Sequence, residues 1–531
     1  MVFHSLQFPL TIPYAVLLVL SCLPYATAQT TVSPQSMKVV GEVDQRYVSY
    51  NVEAVEVTGG RFWAPYKAAA AKAPAPPATQ TGNQPAGLDS SLFQYRSPID
   101  LSNPKLRKLA SALGPSFVRV SGTWRNATWF QDNDEPPMKT PPDGFNAVLT
   151  RAEWKGVVEF AKAVNAEIVT SVAVSQGVRD ASGEWTPKEA KPWLDYTLRI
   201  GGRIAAIEFM NEPTLLSLGN APKGYDASAY GRDAKIFDAF LRRESPGTLH
   251  LGPGSTAEGV SSPSLPGGRR FEIVSTDDLM KATGPIFGAF SYHFYSTPSH
   301  RCLGEHGADP NKVLSAEWFD RDLTVYNFYA KERDTYMKGK NIWLTETGEA
   351  ACGGDTWAAQ FADSFRLLDQ FGSLARRSVK SIMYNTLASS DYGLLDEETL
   401  NPRPNYWAAL LWKRTMGTRA LDPGVAPAEH VRVYAQCMQG AKGGVTLLVL
   451  NMDEANEASL KLPVAAERYT LTSTGLFSST VLLNGRELRA GADGAIPSIR
   501  GEANQPGEIK VAARSITFLT MSKAGNRECA Q

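Results

Sequence analysis

The chain has 531 residues, 43% of them apolar and 20% charged, and its 54 Lys and Arg balance 54 Asp and Glu. That length exceeds a single ordinary core, so a barrel-sized domain with a smaller companion is the natural division of a soluble globular chain. Neutrality speaks against a dedicated binder of nucleic acid or of highly sulfated polysaccharide, which would carry a basic excess, although it leaves room for a local basic patch.

Residues 1–28 contain no Lys, Arg, Asp or Glu, an apolar run at 12–23 interrupted by Pro13, and the small-x-small stretch Ala26-Thr27-Ala28. This reads as a signal peptide cleaved near Ala28, because the run is shorter than the ~20 residues a membrane span needs. A charged leading segment is missing. The expected product is secreted, extracellular or periplasmic, and has no membrane span.

The segment 29–44 is expected to give a strand to the C-terminal sheet. Residues 45–58 alternate apolar and polar like a strand and run into Gly59-Gly60. The stretch 67–88 is Ala/Pro-rich and reads as a flexible surface insertion. A helix-then-strand rhythm follows: helix 103–113 with strand 117–121, helix 151–164 with strand 168–174, helix 191–198 with strand 204–210, and helix 228–242 with strand 249–252. Strand 287–295 comes next, then helix 323–338 with strand 341–345, helix 358–374 with strand 379–384, and a last helix at 406–416. With the strand near residue 47 this makes eight parallel strands, which predicts a (β/α)8 TIM barrel over 45–416. Beyond residue 417 the runs shorten and alternate, at 431–436, 445–451, 469–474 and 516–521, predicting an antiparallel β-sandwich over 417–531.

Loss of the signal removes Cys22 and leaves Cys302, Cys352, Cys437 and Cys529, which allow three pairings. The expected set is Cys437 with Cys529, closing the C-terminal domain on itself, and Cys302 with Cys352 on neighbouring loops. No CxxC or clustered His accompanies them, so disulfides are preferred to a metal site. Neither a metal nor a cofactor is expected.

The working residues of a barrel enzyme sit where strands give way to the following loops. Glu212 lies in Asn211-Glu212-Pro213 directly after the fourth strand, and Glu346 follows Ile342-Trp343-Leu344-Thr345 of the seventh. Glycoside cleavage needs such a pair: one carboxyl protonates the departing oxygen and the other attacks the anomeric carbon, at ~5 to 5.5 Å for retention and ~6.5 to 9.5 Å for inversion. Glu212 is assigned as acid, kept protonated by repulsion from its anionic neighbour and able to act as base once Glu346 is esterified. The competing role for both is a rim salt bridge. Asn211 is placed to hold the sugar 2-hydroxyl. Asn51, Glu53 and Thr123 face the same mouth as sugar contacts, with packing as their alternative role. His293 reads as a satisfied barrel residue or as a donor behind the site, and Asn126-Ala127-Thr128 matches a glycosylation sequon.

The stretches 209–213, Trp343-Leu344-Thr345-Glu346-Thr347 with Gly353-Gly354, and Asp391-Tyr392-Gly393-Leu394-Leu395-Asp396 through Pro404-Asn405-Tyr406-Trp407 resemble glycoside hydrolase family 79 of clan A, which contains heparanase and β-glucuronidases. The placing of Cys437 and Cys529 is similar to a heparanase disulfide. The resemblance implies a glucuronic acid beside the nucleophile, its carboxylate held by backbone amides of Gly353 and Gly354 and by the hydroxyls of Tyr295 and Tyr392. Amides and phenols can hold a carboxylate without a fixed cation beside the catalytic acids, although Gly353-Gly354 also suits a plain turn. The activity implied is exo-acting β-glucuronidase on glucuronides or glucuronic-acid-containing glycans. An endo-acting enzyme of heparanase or hyaluronidase type is the rival, and a secreted carbohydrate-binding protein without chemistry is the alternative from another class.

Overall fold

Eight short, buried strands form the centre of the computed structural model, which describes residues 1–2, 30–66, 88–260, 272–304, 307–424 and 428–530. They are Val48–Asn51 (β1), Ser116–Val120 (β2), Ala166–Ser171 (β3), Ile204–Glu208 (β4), Leu249–Ser255 (β5), Ala289–Tyr295 (β6), Ile342–Gly348 (β7) and Ile382–Tyr384 (β8). Strands covered on both faces are rich in Val, Ile, Leu and Phe, and such strands pair in parallel under a layer of helices. Each one pairs in parallel with its chain neighbours and β8 returns to β1, so the sheet closes as a (β/α)8 TIM barrel. The signal peptide expected at 1–28 and the insertion at 67–88 fall outside the described residues, apart from Met1, Val2 and Leu88. Among the described residues no helix is long and apolar enough to cross a membrane.

The covering helices follow from their patterns. Arg151–Ala163 starts at a reciprocal Thr150/Glu153 capping box and buries Trp154, Val157, Val158, Phe160 and Ala161 on one side. Phe361–Ala375, between β7 and β8, is buried along its whole length because the second domain covers its outer face. There the Tyr434 hydroxyl donates to Asp369 at 2.6 Å, and the Tyr434 ring lies so close to Gly372 that a Cβ would meet it at 2.2 Å.

Three expectations need correction. Residues 45–58 are not one strand: β1 ends at Asn51 and Ala54–Thr58 is a short helix, opened by mutual hydrogen bonding between Glu53 and Glu56. The alternation that suggested a strand also fits a helical turn buried on every side. A helix at Thr276–Thr283, capped by Ser275, precedes β6 and was missed because it is short and polar at its start. Glu346 lies within β7, paired in register with His293 of β6, and does not follow the strand.

The C-terminal region forms an antiparallel nine-stranded sheet that includes Met416–Leu421, Val431–Met438, Val445–Asn451, Ser515–Met521 and Ala466–Thr472. Val39–Glu42 pairs antiparallel with Met416–Leu421 at its edge. A smaller sheet of Thr30–Thr31, Ala458–Leu462 and Gly507–Val511 lies apart from it. Leu447, Val449 and Leu519 of the large sheet meet Leu460, Leu462 and Ile509 of the small one in a separate apolar core, with the Cys437–Cys529 disulfide at its margin. Between β1 and β2 an unforeseen antiparallel pair, Gly60–Trp63 with Phe93–Arg96, flanks the 67–88 segment.

Candidate active site

Strand β2 places Arg119 inside the barrel with no exposed surface. A guanidinium cannot shed its charge, so burial there demands anionic partners. It donates to Glu208 at 2.9 Å, to Glu346 Oε2 at 2.8 Å and to Asn211 Oδ1 at 2.8 Å. Burial alone would raise the Glu208 carboxyl, but the charge of Arg119, helped by a hydrogen bond from Thr345 at 2.8 Å, outweighs it and holds Glu208 below the usual carboxylate range.

The same cation sets the state of His293. Arg119 Nη2 lies 3.2 Å from His293 Nε2, and since arginine only donates, this contact favours the tautomer with its lone pair on Nε2 and its hydrogen on Nδ1. That Nδ1 is 3.1 Å from Glu212 Oε1 and 3.7 Å from Glu346 Oε2. The imidazole N–H therefore points between the two carboxylates, which face one cleft. One oxygen of each and the imidazole nitrogen lie within 4.8 Å of one another. Glu346 is also gripped from the other side, where the Tyr295 hydroxyl donates to its Oε1 at 2.7 Å. Burial and then the Glu346 charge push the Tyr295 phenol well above its ordinary value, so it stays a donor. Glu212 itself adopts a left-handed backbone, φ 52° and ψ 59°, immediately before Pro213. Such a conformation costs on the order of 1–3 kcal/mol and is kept only where the surroundings impose it.

The remaining sequence-predicted residues divide by position. Glu53, Thr123, Tyr392, Tyr295 and His293 line the cleft with Glu212 and Glu346, whereas Asn51, Asn211, Gly353 and Gly354 stand behind its surface. Asn51 donates to the Thr345 carbonyl at 3.4 Å. Asn211 offers its carbonyl to Arg119, which turns its amide nitrogen the other way, and its backbone is clasped by both side-chain atoms of Asn126. Asn126 is wholly buried in that contact, so the sequon it heads is inaccessible in the folded chain. Glu53 is pushed well above the carboxylate range by burial and then by Glu346, with Arg119 opposing. Its Oε2 has no hydrogen-bond partner among the described residues and abuts Gly122, where a Cβ would overlap it at 1.5 Å, so that position requires glycine.

The expected carboxylate clamp is reduced by this geometry. The Tyr295 hydroxyl hydrogen is spent on Glu346, and the Gly354 amide donates to the Ala350 carbonyl at 3.1 Å. Tyr392 remains: its oxygen accepts from Asn385 at 3.3 Å, which leaves its own hydrogen to donate into the cleft. Arg119, Glu208 and Asn385 were missed as site residues. A charge inside a barrel strand, as in Val118-Arg119-Val120 and Ile207-Glu208-Phe209, was the available signal for the first two; Asn385 offered none.

The cleft encloses about 200 Å³. One wall is an aromatic cluster of Trp63, Phe93, Trp124 and Tyr392 packed with the Cys302–Cys352 disulfide, which ties the loop after β6 to that after β7. Glu212, His293 and Glu346 are the group among the described residues with spacing for a metal ion. However, the Glu346 oxygens are already met by Tyr295 and by the Arg119 cation, so a metal would have to compete with both.

A closed parallel barrel, two carboxylates in its mouth and a β-sandwich beside it define the architecture of barrel glycoside hydrolases. Among solved structures the chain resembles a 4-O-α-L-rhamnosyl-β-D-glucuronidase from Fusarium oxysporum 12S, at 14% identity over 93% of this chain and 99% of that one with a TM-score of 0.59. It also resembles a GH51 arabinofuranosidase from Xanthomonas axonopodis pv. citri, at 15% identity over 91% and 98% with a TM-score of 0.58. At these identities the likeness is one of fold. No family model matches the chain. By sequence it is similar to heparanase-like protein 1 of Arabidopsis thaliana, 26% identical over 83% of this chain and 88% of that protein. Baicalin-beta-D-glucuronidase of Scutellaria baicalensis is 26% identical over 92% of both chains, and hyaluronoglucuronidase of Hirudo nipponia 26% identical over 83% and 94%.

Proposed function

We propose that the protein is a secreted, retaining exo-β-glucuronidase of the kind grouped in glycoside hydrolase family 79, with Glu346 as nucleophile and Glu212 as acid and base. One observation carries this reading: Glu212 and Glu346 both flank His293 Nδ1, at 3.1 and 3.7 Å, and bring oxygens within 4.8 Å of each other in one cleft. That spacing agrees with the ~5 to 5.5 Å carboxyl separation of retaining glycosidases and not with the ~6.5 to 9.5 Å of inverting ones. Arg119 and Tyr295 each donate to one oxygen of Glu346 and hold it aimed. Its oxygen bonds to the anomeric carbon as the glycosidic C–O bond breaks, and the Glu212 proton goes to the departing oxygen. Glu212 then takes a proton from water, whose oxygen displaces Glu346 and frees the sugar.

The glucuronide preference is supported by the relatives' activities and by Tyr392, an uncharged donor facing the cleft with Asn385 behind it. Exo action is supported by the wall of Trp63, Leu88 and the Cys302–Cys352 bridge on the Glu346 side. Secretion is supported by the composition of residues 1–28 and by two disulfides, which persist in oxidising compartments.

Glu346→Gln tests the assignment. Turnover should fall by about 10⁴-fold or more, while thermal unfolding stays close to wild type because Arg119 keeps Glu208 as its counter-ion. Undiminished cleavage would refute the nucleophile, and equal rates on an aryl β-glucoside and the matching β-glucuronide would refute the glycone.

A further inference from the structure

Four consecutive residues of the loop after β6 fasten onto the loop after β7. The Ser299 amide and hydroxyl donate to the carbonyls of Ala351 and Cys352 at 3.0 and 3.2 Å, and His300 Nδ1 lies 2.6 Å from Asp355. Arg301 Nη1 donates to the carbonyls of Cys352 and Gly354 at 2.9 and 2.7 Å, and Cys302 is bridged to Cys352. Arg301 also reaches beyond this pair of loops. Its Nε donates to the Ala64 carbonyl at 2.7 Å and its head lies 3.9 Å from the Tyr66 ring, both in the segment between β1 and β2, while its Nη2 pairs with Asp391 in the loop after β8. A guanidinium carries five donors in a rigid fork, which suits one head to acceptors on three loops. Asp391 is followed directly by Tyr392, whose phenol faces the cleft. Gly354 lets the β7 loop close on it: a Cβ there would stand 3.0 Å from the Tyr392 backbone nitrogen. Arg403 braces the β8 loop from within, since among the described residues its side-chain hydrogen bonds stay inside 390–396. The Arg301 side chain is 6% exposed and is not part of the cleft lining, so this cation stands behind the tyrosine and not against the sugar.

We infer that Arg301 is a positioning residue for glycone binding: by joining the segment after β1 to the loops after β7 and β8, it sets where the Tyr392 hydroxyl stands in the cleft. A hydrogen bond to a carboxylate is short and directional, so its donor is effective only if it is held in place before the sugar arrives. The inference rests on Tyr392 holding the sugar carboxylate and adds what fixes that donor.

The test is steady-state kinetics of the full chain on methyl β-glucuronide, whose slow chemistry makes KM report binding. Arg301→Met should raise KM by about tenfold and leave kcat within about threefold of wild type. Combined with Tyr392→Phe it should raise KM no further than Tyr392→Phe alone, because both changes act through one hydroxyl. Arg301→Lys keeps the charge, and takes the place of the Met variant throughout if that one fails to fold; it should raise KM in the same direction, since one ammonium cannot reach three loops at once. A loss carried by kcat, an unchanged KM, or KM effects that multiply in the double variant overturns the inference. If Tyr392→Phe by itself leaves KM at the wild-type value, the carboxylate reading fails separately. In that case, or if nothing is cleaved, amide hydrogen exchange of the full chain decides. Faster exchange confined to the loops, with peptides over 389–394 affected and β2 and β7 unchanged, supports the positioning role; unchanged exchange over 389–394, or faster exchange throughout the barrel, overturns it.

Discussion

Glu346 and Glu212 reach the same cleft from β7 and from the turn after β4, yet they are held in different ways. Glu346 has a donor on each oxygen, Tyr295 on one and the Arg119 cation on the other, and its side chain is 8% exposed. Glu212 receives one hydrogen bond among the described residues, from His293, and is 17% exposed on a left-handed turn. A nucleophile needs a fixed line of approach and a stable charge, which paired donors give. An acid that must become a base gains from fewer ties and from access to water. The surroundings repeat the contrast, with polar donors around Glu346 and Leu215, Leu218 and Val260 beyond Glu212.

After the loss of Glu346 itself, the largest effect expected of breaking this asymmetry is on the loosely held side. Glu212→Gln should lower kcat on a methyl β-glucuronide, whose oxygen must be protonated, by roughly 10³-fold. On a nitrophenyl glucuronide, whose oxygen leaves unaided, the loss of the first step should be far smaller. Parallel losses on both would place Glu212 outside the acid role. Steady-state rates on the two substrates measure this.

Removing the cation that organises the tightly held side should act on stability as well. Arg119→Met leaves Glu208 and Glu346 without their buried counter-charge and is expected to cost about 3–5 kcal/mol in denaturant unfolding. It should also change the acid limb. Because Glu208 is held below its unfolded value, its contribution is complete above about pH 4.3 and is lost as pH falls through the lower folded value. In the variant that depression goes, so stability should no longer fall over that acid window on account of Glu208. The smallest effect is a refinement: Tyr295→Phe keeps the ring and removes one donor from Glu346. A loss of about tenfold in kcat is expected with KM little changed. A large rise in KM instead would mean that Tyr295 holds the sugar, as the family resemblance implied.

Much of the barrel was legible because its strands are buried on both faces and its helices on one, so a run such as Ile342-Trp343-Leu344 and a capped amphipathic run such as Arg151–Ala163 each betray their place. The carboxyl pair could be read from position at strand ends. The short helix at Ala54–Thr58 could not, since a run of five residues, four of them buried, carries no period that tells helix from strand. The surroundings of Glu346 were also hidden. Tyr295 ends β6 and Tyr392 lies in the loop after β8, and only their neighbours distinguish the hydroxyl spent on Glu346 from the one left to face the cleft.

Sequence alone determined the alternation of elements, the two acidic side chains at the mouth and the cysteines available for bridging, because burial periodicity and residue chemistry are local. Tertiary structure decided which groups share a proton and a charge. Closure of the barrel brings Arg119, Glu208, His293 and Glu346 from four strands into one hydrogen-bonded set, with Arg119 and Glu346 separated by 227 positions along the chain. Distances across a closed sheet depend on register, and no stretch of residues carries that information by itself.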